Sequence, residues 1–311
     1  MNIFRKTQFS LIVTIVVIVL VIVGNLYYNN TVKKKSTDID LNLSSEEKLN
    51  KYVGKLQSGG RYIKDTKTIC MSAIYDSIIA NKINTYFQLD TLYSKNASTW
   101  DKALAIAKFV ARNIPHNNQK IQPKMRNAIA LWEYTKSVEP AFNCRLHSIM
   151  TYELLQSVGI EARFITCMPE DKNDQDCHVV NHVWLPELNK WAMIDSDSGG
   201  NWASDEKGVP MSLQELRENY IYGSPIYYHP EFKGPSNEKG YYYAYMAKNL
   251  YWFSSWETHH YNQESNISGG DVGRYINLVP NGYKPFSIKS SSIITSDDKL
   301  FWAAPTNSKA N

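Results

Sequence analysis

Two periodicities divide the chain. Up to about residue 158 the apolar positions recur at helical spacing, and from Ile160 to Asp197 they form short β-type runs broken by turn residues. The charged stretch SSEEKLNKYVGKL predicts a surface helix, and the apolar pattern from Thr66 to about Ser94 predicts one or two more. A stronger helix opens at Asn96–Ala–Ser–Thr. Ser98 and Asp101 there have capping-box spacing, and Ala103, Leu104, Ala107, Val110 and Ile114 share one face. Pro115 ends it. After Asn143, the positions Leu146, Ile149, Met150, Leu154 and Val158 repeat the pattern, and Gly159 stands where a helix-ending glycine belongs.

IEARFITC then reads as a strand, and HVVNHVWLP and KWAMIDSD read as two more joined at Pro186–Asn189. A further helix, MSLQELRENYIYG, carries a capping box at Ser212 and Glu215 and is closed by Gly223. From Tyr227 the chain is rich in Tyr and Trp, then in β-type residues with Pro and Gly turns. Helices followed by an antiparallel meander predict an α+β fold. The expected organisation is a membrane anchor with basic flank over 1–35 and a linker with helices over 36–95. A core follows over 96–225, then an aromatic-rich β extension over 226–311.

Charge changes the picture only at the N-terminus. The formal charge of +4 comes from 34 Lys/Arg against 30 Asp/Glu, and five of the basic residues lie in the first 35 positions with no acid. The body is therefore near neutral, without the basic footprint of a nucleic-acid binder. Leu11 to Val23 is aliphatic apart from Thr14, and Phe9 to Tyr28 has membrane-crossing length. Tyr27 and Tyr28 suit an interfacial aromatic belt. The run is long and lacks a cleavage-type A-x-A, which favours a single-pass anchor over a cleaved signal peptide. An outward-facing body is the corresponding expectation. Cys167 and Cys177 bracket a polar loop, so they are either a disulfide in an oxidising compartment or two free thiols.

The candidate chemistry centres on Cys144 in FNCRLHSIMTYELLQSVGIEAR, residues 142–163. The first turn of a helix favours an anion, and hence a reactive thiol. Such a nucleophile needs a base, and the base an orienting group. The strand after Cys177 supplies His178 and His182, which share a face, and the next strand supplies Asp195. A second arrangement is open: Cys144-x-x-His147 with Cys177-His178 has the donor types of a zinc site. A third is a binding module without catalysis, its groove lined by the aromatic tail YYYAYMAKNLYWFSSWETHHY.

The order Cys, Gly-Ile-x-Ala-Arg, His, Trp-x-x-x-Asp resembles the transglutaminase-like superfamily, whose fold is shared by transglutaminases, peptide N-glycanases and many bacterial thiol proteases or amidases. The resemblance runs from about Trp100 to Gly223 through NCRLHSIMTYELLQSVGIEAR, CHVVNHVW and KWAMIDSD. DEKGVPMSLQELRENYIYG resembles the extension of membrane-linked or secreted bacterial members, and LVPNGYKP and LFWAAP resemble their tails less specifically. It implies a papain/transglutaminase-like core with Cys144 as nucleophile, Asp195 as orienter and no cofactor. The substrate class it implies is a protein, peptide or cell-envelope amide. For the base, His178 stands 17 residues before Asp195 and His182 only 13, and the family's hairpin takes the longer separation. His178 is therefore the expected base and His182 the alternative, although His182 occupies a place usually held by glutamate. Gly159 and Arg163 are expected to be structural, Arg163 by ion pairing, and Trp191 to pack beneath the site.

Overall fold

The computed structural model describes residues 43–65, 69–197, 200–229, 239–265, 273–286, 288 and 291–305. The expected anchor at Phe9–Tyr28 lies outside them. No helix among the described residues is long and apolar enough to cross a membrane. The chain divides into two compact units, Met1–Lys48 and Leu49–Asn311. The first is described only from Leu43, where Ser44 caps the incoming helix through Glu47.

The helices that precede the sheet are α1 (Ser45–Ser58), α2 (Ser77–Phe87), α3 (Thr99–Asn113), α4 (Ala128–Ser137) and α5 (Cys144–Ser157). Each start from α2 to α5 has a side-chain cap: Asp76, Ser98, Asn127 and Asn143 accept backbone N–H groups left over from the first turn. The expected surface helix, the Ser98-led helix and the helix at Cys144 are all present, and Gly159 follows α5 with φ +76°. A Cβ at Gly159 would meet no neighbour, so only the positive φ requires glycine there.

The strands are β1 (Ser72–Ala73), β2 (Ala162–Met168), β3 (His178–Leu185), β4 (Lys190–Ile194), β5 (Trp202–Ser204), β6 (Tyr227–His229), β7 (Trp252–Trp256), β8 (Thr258–His259), β9 (Tyr275–Leu278) and β10 (Ile293–Thr295). Six of them form one sheet in the order β10-β9-β7-β2-β3-β4. All its pairings are antiparallel except β10 with β9. The β2–β3–β4 meander is the one its sequence predicts, and Asn189 takes φ 50° in the connecting turn, a conformation its short amide side chain tolerates.

The segment after Tyr227, read above as a β-rich extension, supplies sheet strands and also a helix. Residues YYYAYMAKN lie in α7 (Lys239–Asn249), after α6 (Leu213–Tyr222), and β7 inserts beside β2 while β9 and β10 extend the sheet outward. A short α8 (Asp298–Phe301) follows. Alternation cannot reveal that insertion, because β7 reads WFSSW and is buried on nearly every position.

Two apolar layers cover the sheet. On one face Ile106, Leu131, Leu146 and Leu154 pack against Phe164, Val179 and Val183. On the other, Leu213, Leu216, Met246 and Phe301 pack against Ile165, Val180 and Met193. Helix α5 is enclosed on all sides, buried from Leu146 to Ser157. Two of its hydroxyls are tied to the sheet side: Ser148 Oγ donates to Val179 O at 2.8 Å and Thr151 Oγ1 to Ser196 Oγ at 2.7 Å. Each of its core leucines contributes about 1.5–3 kcal/mol by burial, and together with these bonds they fix Cys144 against the sheet.

Candidate active site

Asn143 sets the position of Cys144. Its side chain takes the N–H of Leu146 at 3.1 Å and its carbonyl that of His147, also at 3.1 Å. The N–H of Cys144 is one of the first-turn donors that an α-helix leaves without an intrahelical partner. The Cys144 Sγ is half-buried and 4.0 Å from Cys177 O.

His178 begins β3 and Asp195 follows β4. His178 Nε2 and Asp195 Oδ2 are 2.6 Å apart, with side chains 1% and 0% exposed. Burial alone would push the His178 pKa down, but the Asp195 carboxylate and its hydrogen bond outweigh it, with Cys144 adding to them, and hold the imidazole well above its ordinary value. Burial acts on Asp195 in the opposite sense, raising its pKa. The His178 charge and hydrogen bonds from Tyr242 and from the Asp197 N–H bring it below the usual carboxylate range. Tyr242 Oη donates to Asp195 Oδ2 at 2.6 Å and the Asp197 N–H donates to Oδ1 at 3.0 Å. With Nε2 engaged, Nδ1 is the His178 nitrogen left for the thiol. It is buried with no hydrogen-bond partner among the described residues. Ligand-type atoms of Cys144, His178 and Asp197 all lie within 4.8 Å of one another.

His182 is elsewhere on β3. Its ring stacks on Trp191 at 5.9 Å, and its Nε2 accepts the N–H of Leu213 at 2.9 Å. Burial, with the charges of Arg163 and Lys190, pushes its pKa well below the ordinary histidine value. It is thus a neutral ring whose lone pair is already committed, and four residues of strand, about 13 Å, separate it from His178.

The four donors of the zinc reading do not gather. His147 is fully buried edge-on to Phe142 at 5.7 Å, and the converging group contains neither His147 nor Cys177. Burial lowers the His147 pKa and raises those of Cys167 and Cys177. Cys70, Cys144, Cys167 and Cys177 are all free thiols, which resolves the disulfide alternative in favour of two unpaired cysteines. Arg163 makes no ion pair among the described residues. It donates to Phe301 O at 3.0 Å and Ala303 O at 3.1 Å and lies 4.2 Å over Trp191, so it anchors the C-terminal turn. Trp191 is buried packing, as expected.

Several neighbours of Cys144 carry no sequence signal. Arg145 Nε donates to Glu264 Oε2 at 2.9 Å, Arg145 also bonds Glu264 Oε1 and Tyr275, and Arg126 Nη1 lies 3.3 Å from the same carboxylate. Tyr245 packs edge-on to His178 at 5.1 Å and donates to Cys177 O at 3.3 Å. His116 Nδ1 is 2.7 Å from Asp197 Oδ1, and that bond raises the His116 pKa against partial burial. The hydrogen-bonded partners are 68 to 138 residues apart in the chain, so no local spacing could announce them.

A cysteine at a helix start, beside a histidine–aspartate pair on an antiparallel sheet, is an arrangement that can activate a thiol. The sequence model of the Transglutaminase-like superfamily matches residues 88–196. The chain carries a transglutaminase-like domain. Its α+β fold agrees with that match, which covers about a third of the chain. No curated protein matches the chain. Among solved structures, a candidate cysteine protease from Cytophaga hutchinsonii aligns at 15% identity and a TM-score of 0.32, over 50% of this chain and 49% of that one. The alignment thus spans about half of that protein's length.

Proposed function

We propose that this transglutaminase-like chain is a thiol acyl-transfer enzyme acting on amide bonds, with Cys144 as nucleophile, His178 as acid–base and Asp195 as orienter. The observation that carries the reading is the 2.6 Å His178–Asp195 bond, which leaves a buried, unpartnered Nδ1 beside the Cys144 thiol. His182 is set aside as the base because its acceptor nitrogen is taken by Leu213 and its environment opposes a charge.

In the first step the Cys144 proton passes to His178 Nδ1, and the thiolate attacks the carbonyl carbon of the amide. The tetrahedral oxyanion accepts the N–H of Cys144 at the helix start. His178 then gives its proton to the leaving amine as the C–N bond breaks, and a thioester remains. Water or a second amine resolves it, giving up a proton to His178 as the C–S bond breaks. Asp195 stays ionised and stabilises the transient imidazolium, and Tyr242 holds the carboxylate in line.

The substrates proposed are protein, peptide or cell-envelope amides. This follows from a second expectation, that Phe9–Tyr28 anchors an outward-facing body at the membrane. The test is mass spectrometry of the full chain after incubation with amide and ester substrates under conditions that trap a Cys144 acyl adduct. A mass increment on the peptide bearing Cys144, absent in H178A, supports the reading. A Cys144 that takes no acyl group and reacts with iodoacetamide no faster than a simple thiol overturns it.

A further inference from the structure

The same corner holds a donor set that shares Cys144 and His178 with the acyl-transfer chemistry and adds Asp197, which that chemistry does not use. One ligand atom each from Cys144, His178 and Asp197 lies within 4.8 Å of the other two. Tetrahedral zinc, with bonds of about 2.0–2.3 Å, brings its ligand atoms to roughly 3.5 Å from each other, within reach of small side-chain rotations. His178 is 1% exposed, and its unpartnered Nδ1 is the nitrogen left over once Asp195 holds Nε2. A carboxylate on the far nitrogen is the usual support of a metal-bound imidazole, because it fixes the ring and raises the basicity of the other nitrogen. Asp197 is steadied in turn, its Oδ1 taking His116 Nδ1 at 2.7 Å while its N–H bonds Asp195 at 3.0 Å.

We propose that Cys144, His178 and Asp197 form a reversible zinc site that silences the thiol, a consequence that rests on the acyl-transfer reading above. A thiolate, an imidazole and one carboxylate suit zinc, whereas calcium and magnesium take all-oxygen sets. Half-buried Cys144 and the adjoining 56% exposed side chain of His116 leave the fourth position open to water. On binding, the Cys144 S–H bond breaks and an S–Zn bond forms. The proton passes to solvent, directly or by way of His178 Nδ1, and no electrons are transferred. The sulfur lone pair and Nδ1 are then both committed, so nucleophile and base are blocked together.

The experiment is a titration of chelator-treated full chain with zinc against a chromophoric competitor. One equivalent is expected, with a Kd of about 1 μM or tighter. C144A should lose it, and D197N should weaken it by about tenfold or more. Circular dichroism checks that both variants fold. Zinc should also protect Cys144 from iodoacetamide. Uptake that is undiminished in C144A, or a D197N affinity equal to that of the unsubstituted chain, overturns the three-donor site. Alkylation without zinc tests the acyl-transfer reading separately. A sluggish thiol with intact zinc uptake removes that activity and leaves the metal site standing.

Discussion

Replacing Asp195 by asparagine removes the charge behind His178. Asparagine has the carboxylate's shape, and its carbonyl still accepts the bonds from His178 Nε2 and Tyr242 that now end on Oδ2. What disappears is the negative charge 2.6 Å from the ring, together with the acceptor that Oδ1 offers the Asp197 N–H at 3.0 Å. A hydrogen bond to a charged partner contributes about 1.5–3 kcal/mol. A Coulomb estimate at about 4 Å between charge centres with an effective dielectric of 20 gives about 4 kcal/mol. Both figures act to lower the His178 pKa, and at about 1.36 kcal/mol per factor of ten they amount to roughly one to three powers of ten in the proton-transfer equilibrium. Burial, the largest influence on this ring and the one opposing its charge, is then countered chiefly by Cys144. The thiolate–imidazolium pair becomes about 10- to 1000-fold rarer near neutral pH. The assay is the rate of iodoacetamide alkylation at the Cys144 peptide, read by mass spectrometry because exposed Cys70 also labels. D195N should label slowly near neutral pH and recover only where free thiols ionise, about pH 8.5. A folded D195N whose neutral-pH rate matches the unsubstituted chain would refute the ion-pair argument.

Four further outcomes follow from the same geometry. H182A should lose about 1–3 kcal/mol in urea unfolding by stranding the Leu213 N–H, yet keep Cys144 labelling within a few-fold, whereas H178A should abolish fast labelling; the reverse pattern would transfer the base to His182. N143A removes the cap of α5 and should cost about 1 kcal/mol, a drop of about 2–4 °C in Tm by calorimetry. Burial raises Glu153 to about 7 against the N–H groups of Ala128 and Asn262, so the folded chain binds more protons than the unfolded one between about pH 4.5 and 7. Its contribution to stability therefore falls by about 3 kcal/mol as pH rises through that window, and E153Q should flatten this dependence; parallel urea midpoints from pH 5 to 8 would contradict it. E264A strands the guanidinium groups of Arg126 and Arg145 and should destabilise by about 3–5 kcal/mol; a loss under 1 kcal/mol would mean that solvent takes the place of the carboxylate.

The helices at Ser98, Cys144 and Ser212 and the β2–β3–β4 meander were legible in the sequence because caps, helical period and turn residues act over a few positions. The same local chemistry put Cys144 at a helix start and His178 and Asp195 on neighbouring strands. Periodicity could not separate His178 from His182, since residues four apart on a strand share a face. Only packing does so, by giving Asp195 to one ring and the Leu213 N–H to the other. The aromatic run YYYAY looked like strand or groove, and its place in a half-buried helix presenting Tyr242 to Asp195 depends on a sheet built partly from β7 and β9. Asp197, His116 and Glu264 likewise acquire their partners across tens of residues of chain. The sequence by itself determined the elements and the order of the reactive residues, because those are set by short-range sterics and hydrogen bonding. The tertiary structure decided which polar groups meet in the dry interior, because a buried charge or orphaned N–H must find its partner wherever the fold brings one.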